Sequence, residues 1–481
     1  MLKLNGFKIK CIINWRDVKL KKPVVKVSYD LTPAQDMIQF MLKHSFFHKQ
    51  VTQIPETMMF NNDIDFAVME KAVNIEIERN DCLRLRFFKE KKVIKQYFLD
   101  EYKVENIPVL EFKTDEERQS TLTADAQKPI RMLKGETFRI KFFRMADGRC
   151  GVFLNVHHLV MDNMAVFLFF ADLLKVYDHL KNGADMPKAL GSFETIIKKE
   201  LAYIANPENL KKEEEAYREF MSKDGEPLYL GVEGPRHLEA ERIKKKNPNL
   251  KAPSLFDPIN DKAELTKHSV PYEDSQKIFE FMNENGVGGE CLVQLAMRLH
   301  VSKINNRHNN TYFIVLCPRR RTLSEKRAGG NLAVPLPWRV TLPEDITFRE
   351  ALKKMSEVQF WAYKHMDYPY LEYRKLQREM FNYSAAAGAS TMMFSWFPLE
   401  SGTMSNWEYQ FEGYSLGRYI MVIYSFAMKD AASGCLKLTC MHRTKYVTVE
   451  EAEALHAGTE KALLLGVENP DMTLGEIMDR M

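Results

Sequence analysis

The run "TFRIKFFRMADGRCGVFLNVHHLVMDNMAVFLFFADLL", from Thr137 to Leu174, constrains this chain more than any other segment. Two segments of alternating apolar and polar residues flank Asp147-Gly148, a pattern that predicts a β-hairpin with both central turn positions at positive φ. The second strand delivers the chain to His157-His158. From about Met164 to Leu180 the sequence turns helical and carries Val166, Phe167, Phe169, Phe170, Leu173 and Leu174. A helix that apolar must be covered on most sides. The segment therefore places an HHxxxD pattern (His157, His158, Asp162) at the junction of a strand and a buried helix. Histidine is scarce, 12 in 481 residues. The pattern should arise by chance on the order of once in a hundred such chains.

At 481 residues the chain is long enough for two domains or two lobes that share an interface. Hydrophobic residues make up 45% and charged residues 28%, the balance of a soluble globular protein. No apolar run reaches the length of a membrane span, and the opening "MLKLNGFKIKCIINWRD" is too interrupted by lysine for a signal peptide. The seven cysteines (Cys11, Cys82, Cys150, Cys291, Cys317, Cys435, Cys440) are scattered, with no CxxC. That argues against a disulfide framework or zinc ribbon and for a reducing, cytoplasmic setting. The net charge of +4 is too small to imply nucleic acid, and "RIKKKNPNL" from Arg242 reads as a solvated loop.

The remaining punctuation fits helices interleaved with strands. Thr32, Pro33 and Gln35 predict an N-cap, a first-turn proline and a capping box. A helix is expected over about 65–80, then an alternating strand "LRLRFF" from Leu83 to Phe88. Residues 224–265 read as a long connection. Helices follow near 274–285 and 289–303, with strands in "TYFIVLC", "VPLPWRVTL", "TMMFSWF", "RYIMVIYSFAM" and "CLKLTCMH". Capping boxes start helices at Thr347 and Thr448, the latter read as the last helix. Two α/β sandwich lobes, each a mixed sheet covered by helices, is the economical architecture.

Alternation sends His157 and His158 to opposite faces of the strand. His158 shares a face with Val152, Leu154 and Val156, and His157 shares one with Phe153 and Asn155. Asp162 or Asn163 would cap the following helix. Three readings compete: polar strand-end residues with a cap, a metal site, and a general base at a strand end in a cleft. Opposite-facing histidines with no second ligand cluster weigh against metal. The sequence has no GxxxxGK[ST], GxGxxG or HExxH, so no ATP or dinucleotide cofactor is expected.

"HHLVMDN" resembles the HHxxxDG motif of the condensation-domain superfamily, which includes nonribosomal peptide synthetase condensation domains and chloramphenicol acetyltransferase. "LTPAQ" is similar to its opening S-x-A-Q, and "RNDCLRLRF" from Arg79 to R-H-E-x-L-R-T-x-F. "GNLAVPLPWRV" from Gly330 resembles G-x-F-V-N-T-x-P-L-R, and "HMDYPYL" from His365 resembles H-Q-D-Y-P-F-E. The resemblance implies an α/β (α+β sandwich) chain of two chloramphenicol-acetyltransferase-like lobes, residues 1–182 and 183–481, in a V around a central tunnel. It makes His158 the catalytic residue, with His157 beside it. Asp162 becomes a structural aspartate, paired with an arginine expected at Arg84, whose alternative is a solvated surface residue. Three departures stand out. The motif's glycine is Asn163, expected to tolerate a left-handed turn, and the family's asparagine is Val334. "FSWFPL" from Phe394 lacks a downstream arginine-rich motif.

A thioester already carries the free energy of an amide or ester bond, which agrees with the missing nucleotide motifs. The resemblance thus implies an acyltransferase that takes an acyl group from carrier-protein phosphopantetheine to an amine. With neither an adenylation nor a carrier domain read in the chain, an acyl or peptidyl carrier protein is expected to act in trans, on a monomer. The alternatives are a coenzyme A-dependent O-acyltransferase using an alcohol and a silent module that only docks carrier proteins.

Overall fold

The computed structural model describes residues 27–481 apart from 46, 62, 398–401, 405, 406 and 431. The opening segment and Cys11 lie outside the described residues, as does the end of "FSWFPL". The other six cysteines are free.

Two six-stranded mixed sheets organise the chain. The first runs in the order Gly402–Met404, Trp407–Gly413, Gln53–Phe60, Cys150–His157, Phe138–Met145, Val109–Phe112. Its neighbours pair antiparallel except the last two strands, which are parallel. The second runs Val334–Thr341, Asn310–Cys317, Met393–Phe397, Ile423–Lys429, Leu436–Arg443, Ala263–Ser269. Met393–Phe397 is parallel to both neighbours. A small sheet of Tyr29–Asp30, Val93–Phe98 and Leu85–Glu90 lies apart. Each large sheet has its own apolar core. Val152, Leu154 and Val156 pack with Val166, Phe169 and Phe170 of the helix Asn163–Asn182. In the second core the helix Gly289–Ile304 is buried along most of its length against Phe313, Val315 and Trp338.

The hairpin forms where the alternation placed it, with a different turn. Gly148 alone has positive φ, 94°, and its N–H donates to the Met145 carbonyl at 3.0 Å. A type I turn closed by a left-handed glycine joins the strands, so Asp147 keeps ordinary backbone. Pro335 and Pro337 are tolerated because Val334–Thr341 is an edge strand. Two residues apart, they point their missing N–H the same way, away from the neighbour. The capping boxes at Thr32, Thr347 and Thr448 are all formed.

Several elements depart from the sequence expectation. The strand expected from Leu83 begins at Leu85, because Asp81–Arg84 is a 3-10 turn. The helices Phe193–Ile204 and Pro207–Ser222 occupy a stretch with no assigned pattern, and Arg236–Lys244 interrupts the long connection. Leu474–Arg480, with a capping box at Thr473 and Glu476, follows the helix expected to be last. The sheets also do not divide the chain at residue 182. Tyr409–Gly413 pair with Glu56–Phe60, and Phe193, Ala328 and Leu332 belong to the first core.

Candidate active site

The strand Cys150–His157 is buried throughout and ends one residue before His158. The His157 N–H donates to the Thr137 carbonyl at 2.9 Å and the His158 N–H to the Thr52 carbonyl at 2.8 Å, so both backbones are held by the residues that lead into the neighbouring strands. The imidazoles then part. His157 is 1% exposed. Its Nδ1 accepts from the Leu159 N–H at 3.1 Å, which fixes the tautomer and leaves Nε2–H to donate to Thr52 Oγ1 at 3.2 Å. Burial, reinforced by His158, holds its pKa down at about 3. This ring is a neutral, hydrogen-bonded post.

His158 is only half-buried. Its Nδ1 is buried without a hydrogen-bond partner among the described residues, so its accessible edge is the Nε2 side. Burial lowers its pKa, while the charge of Asp162 and the nearby backbone of His158 and Met161 pull the other way. A neutral imidazole with an accessible ring nitrogen can accept a proton.

The turn carrying it is clamped from several directions. Gln35 Nε2 donates to the Leu159 carbonyl at 2.8 Å, while its Oε1 accepts the Thr32 N–H at 2.9 Å. The "LTPAQ" glutamine thus closes a helix cap and holds the histidine turn at once. Asp162, 2% exposed, is the N-cap of Asn163–Asn182 and accepts from the Ala165 N–H at 2.8 Å. It also accepts from the Leu332 N–H at 2.8 Å and takes both terminal nitrogens of Arg320, at 2.8 and 2.9 Å. Four donors on one buried carboxylate make a rigid corner.

Arg84 is therefore corrected: it is not the partner of Asp162. It ends the 3-10 turn, and its guanidinium donates to the carbonyls of Ile77, Glu78 and Leu99, closing the end of the preceding helix. Arg320 holds the aspartate instead, from a segment distant in sequence. Its neighbours are anchored too, Arg319 by Glu200 and Arg321 by Asp367 of "HMDYPYL" at 2.6 Å. Three consecutive arginines were the available signal for this segment, and sequence reasoning passed over them.

Asn163 is also corrected. It is the first residue of its helix and its backbone is not left-handed, so no glycine-like turn is needed there. Val334 is buried in the second core at the head of the edge strand. Among the described residues no group of three or more His, Cys, Asp or Glu could hold a metal ion, and no helix is long and apolar enough to cross a membrane.

Known proteins resemble this chain in sequence and in fold. The condensation domain family matches residues 25–387. One plipastatin synthase protein of Bacillus subtilis (strain 168) is 20% identical over 94% of the chain, which spans 17% of that protein. Surfactin synthase subunit 1 of the same organism is 22% identical over 71% of the chain, which spans 9% of it. The chain thus covers under a fifth of these curated relatives. Among solved structures, the first condensation domain of the calcium-dependent antibiotic synthetase, in complex with a substrate analogue, superposes with a TM-score of 0.76 at 16% identity. The match covers 94% of this chain and 99% of that one. A mutant starter condensation domain of rhizomide synthetase RzmA, in complex with C8-CoA, has a TM-score of 0.75 at 15% identity, covering 93% and 96%. With the family match spanning most of its length, the chain belongs to the condensation-domain family.

Proposed function

We propose that this chain transfers an acyl group from the phosphopantetheine thioester of a carrier protein to an amine, forming an amide, in a tunnel between two lobes. The observation that carries the reading is His158: a half-buried imidazole, kept neutral by burial, on a turn locked by Gln35 and by the Asp162–Arg320 pair. In this reading the enzyme brings thioester carbonyl and amine into contact, which contributes several kcal/mol as effective concentration, about 7–11 at best. As the amine nitrogen attacks, its proton passes to His158 Nε2, and collapse of the tetrahedral intermediate expels the pantetheine thiolate, which takes that proton back. The first-turn N–H groups of Asn163 and Met164, which the Asp162 side chain does not cap, are the donors nearest in sequence to stabilise the oxyanion. His157 and Asp162 position, Arg320 takes the role expected of Arg84, and no cofactor enters. The two lobes centre on the two sheets, and the protein acts as a cytoplasmic monomer.

The C8-CoA complex of the RzmA starter domain supports a second donor, an acyl group on free coenzyme A. An alcohol acceptor on that donor gives the ester-forming alternative. The test is incubation with acyl-loaded carrier protein and a mixture of amines, read by intact mass of the carrier. Loss of the acyl mass that depends on His158 and on amine supports the proposal. Equal specificity constants for carrier-bound and coenzyme A-bound acyl groups would replace the carrier donor with coenzyme A. No acyl loss from either donor would leave a docking module.

A further inference from the structure

Seven of the eight residues of the strand Gln53–Phe60 are buried, and the one that keeps accessible surface is Glu56. That strand is interior to its sheet, with neighbours on both sides. A glutamate on such a strand is out of place unless a polar or charged group answers it. Glu56 pairs in register with Leu154, two alternations before His158, so by strand geometry the two side chains leave the same face. On that face the helix Asn163–Asn182 covers the strand Cys150–His157 with its apolar side. Beside it Phe411 meets Phe167 and Phe170. Glu56 and His158 are both half-buried polar groups of this face.

The carboxylate is unanswered. Its Oε2 is buried with no hydrogen-bond partner, and among the described residues no hydrogen bond reaches Oε1. It lies over Gly413, where a Cβ would stand 3.1 Å from both oxygens. The adjacent Glu412 is already paired with Arg118 at 2.8 Å. In the second sheet, burial aided by the charge of Glu56 raises the pKa of Tyr424, whose hydroxyl donates to Ser395 Oγ at 2.9 Å. Lys267 is near enough to favour the ionised form, yet among the described residues no hydrogen-bond donor reaches the Glu56 carboxylate. A buried carboxylate without a partner is costly, and a site that keeps one recovers the cost when a cationic donor arrives.

We propose that Glu56 binds a second, cationic nitrogen on the amine acceptor, so that the acceptor is a diamine or other basic amine. The inference rests on the acyl-transfer reading and names the substrate class of that site. Spacing allows it. The His158 N–H bonds the Thr52 carbonyl, and Glu56 follows four residues later, at most about 14 Å along the backbone, a span of the order of a short alkyl diamine.

Burial, aided by Glu412 and opposed by Lys267, pushes the Glu56 carboxyl up to about 8, so the empty site is protonated at neutral pH. A cation binds the ionised form. Preference for a diamine should therefore rise as pH rises through about 8, while the alkyl ammonium keeps its charge to about 10. Glu412, on the other face of the neighbouring strand, and Lys267 and Tyr424, from the second sheet, are the charged and titratable groups that act on the carboxyl or feel its charge.

The experiment is calorimetric titration of the full chain with 1,5-diaminopentane and with its uncharged analogue 1,5-pentanediol, from pH 6.5 to 9. Binding needs no turnover, so the result is independent of whether acyl transfer is detected. The expected result is a preference for the diamine of about tenfold or more at pH 9, the effect of one charge-assisted hydrogen bond. It should shrink toward pH 6.5 and disappear in Glu56→Gln. Equal affinities in the parent at pH 9, or a preference that survives in a folded Glu56→Gln, would overturn the proposal. The pH series on the parent protein decides the matter should that variant fail to fold.

Discussion

His157 and His158 are adjacent in sequence, yet their surroundings give them different properties. His158→Ala should lower single-turnover acyl transfer by about 10²–10⁴-fold, the usual worth of a general base, with the melting temperature nearly unchanged. His157→Ala leaves the Leu159 N–H and Thr52 Oγ1 unanswered and should cost roughly 1–3 kcal/mol of stability. That cost should depend on pH. The folded-state pKa of His157, about 3, is below the unfolded value near 6.5. Between those values the unfolded chain binds the extra proton, so stability falls with falling pH. The penalty of His157→Ala should therefore be full above pH 6.5 and shrink on acidification, as paired denaturant titrations at pH 7.5 and 4.5 would show. Asp162→Asn and Arg320→Met each break a buried pair and should cost about 3–5 kcal/mol. The double variant should fall well short of their sum. Strict additivity in thermal melts would remove the pair as a unit.

At the scale of elements, the site is a strand end whose exit is dictated from outside. The segment around Arg319–Arg321 returns to the histidine turn through Gly330, whose carbonyl accepts from the Asp162 N–H at 3.4 Å and from Arg320 at 3.2 Å. Gly330 has φ of 95°, and a Cβ there would sit 2.1 Å from the Phe193 ring. Gly330→Ala combines backbone strain with a steric clash and should cost about 2 kcal/mol or more. Because the same carbonyl positions Arg320 and Asp162, acyl transfer should fall along with the melting temperature, unlike the outcome for His158→Ala. A variant that loses stability but keeps the parental single-turnover rate would separate this segment from the site.

Across the whole molecule the sheets are interleaved rather than stacked in sequence. Trp407, from late in the chain, fills the first core against Phe60 and Tyr177, with its indole N–H on Asp178 at 3.0 Å. Without residues 402–413 the strand Gln53–Phe60 becomes an open, apolar edge, which invites aggregation. Residues 1–182 expressed alone are expected to be insoluble. The full chain is expected to melt in one calorimetric transition. Two well-resolved transitions would show that the halves are energetically independent.

The sequence alone carried what is local. The hairpin, the capping boxes at Thr32, Thr347 and Thr448, the apolar helix after Asp162 and the division of the two histidines between faces all follow from side-chain period and cap chemistry within a few residues. The family resemblance added the order of motifs and the fold they belong to. What no local pattern holds is which distant groups meet. Arg84 and Arg320 are chemically equivalent candidates for Asp162, because charge complementarity has no sequence range. Only the return of the chain at residues 320–332 decided between them. The same holds for Glu56, an ordinary polar residue until its strand becomes interior to a sheet. Period and capping are short-range physics that a sequence displays directly; burial of a charge and the choice of its partner are fixed only when remote segments pack.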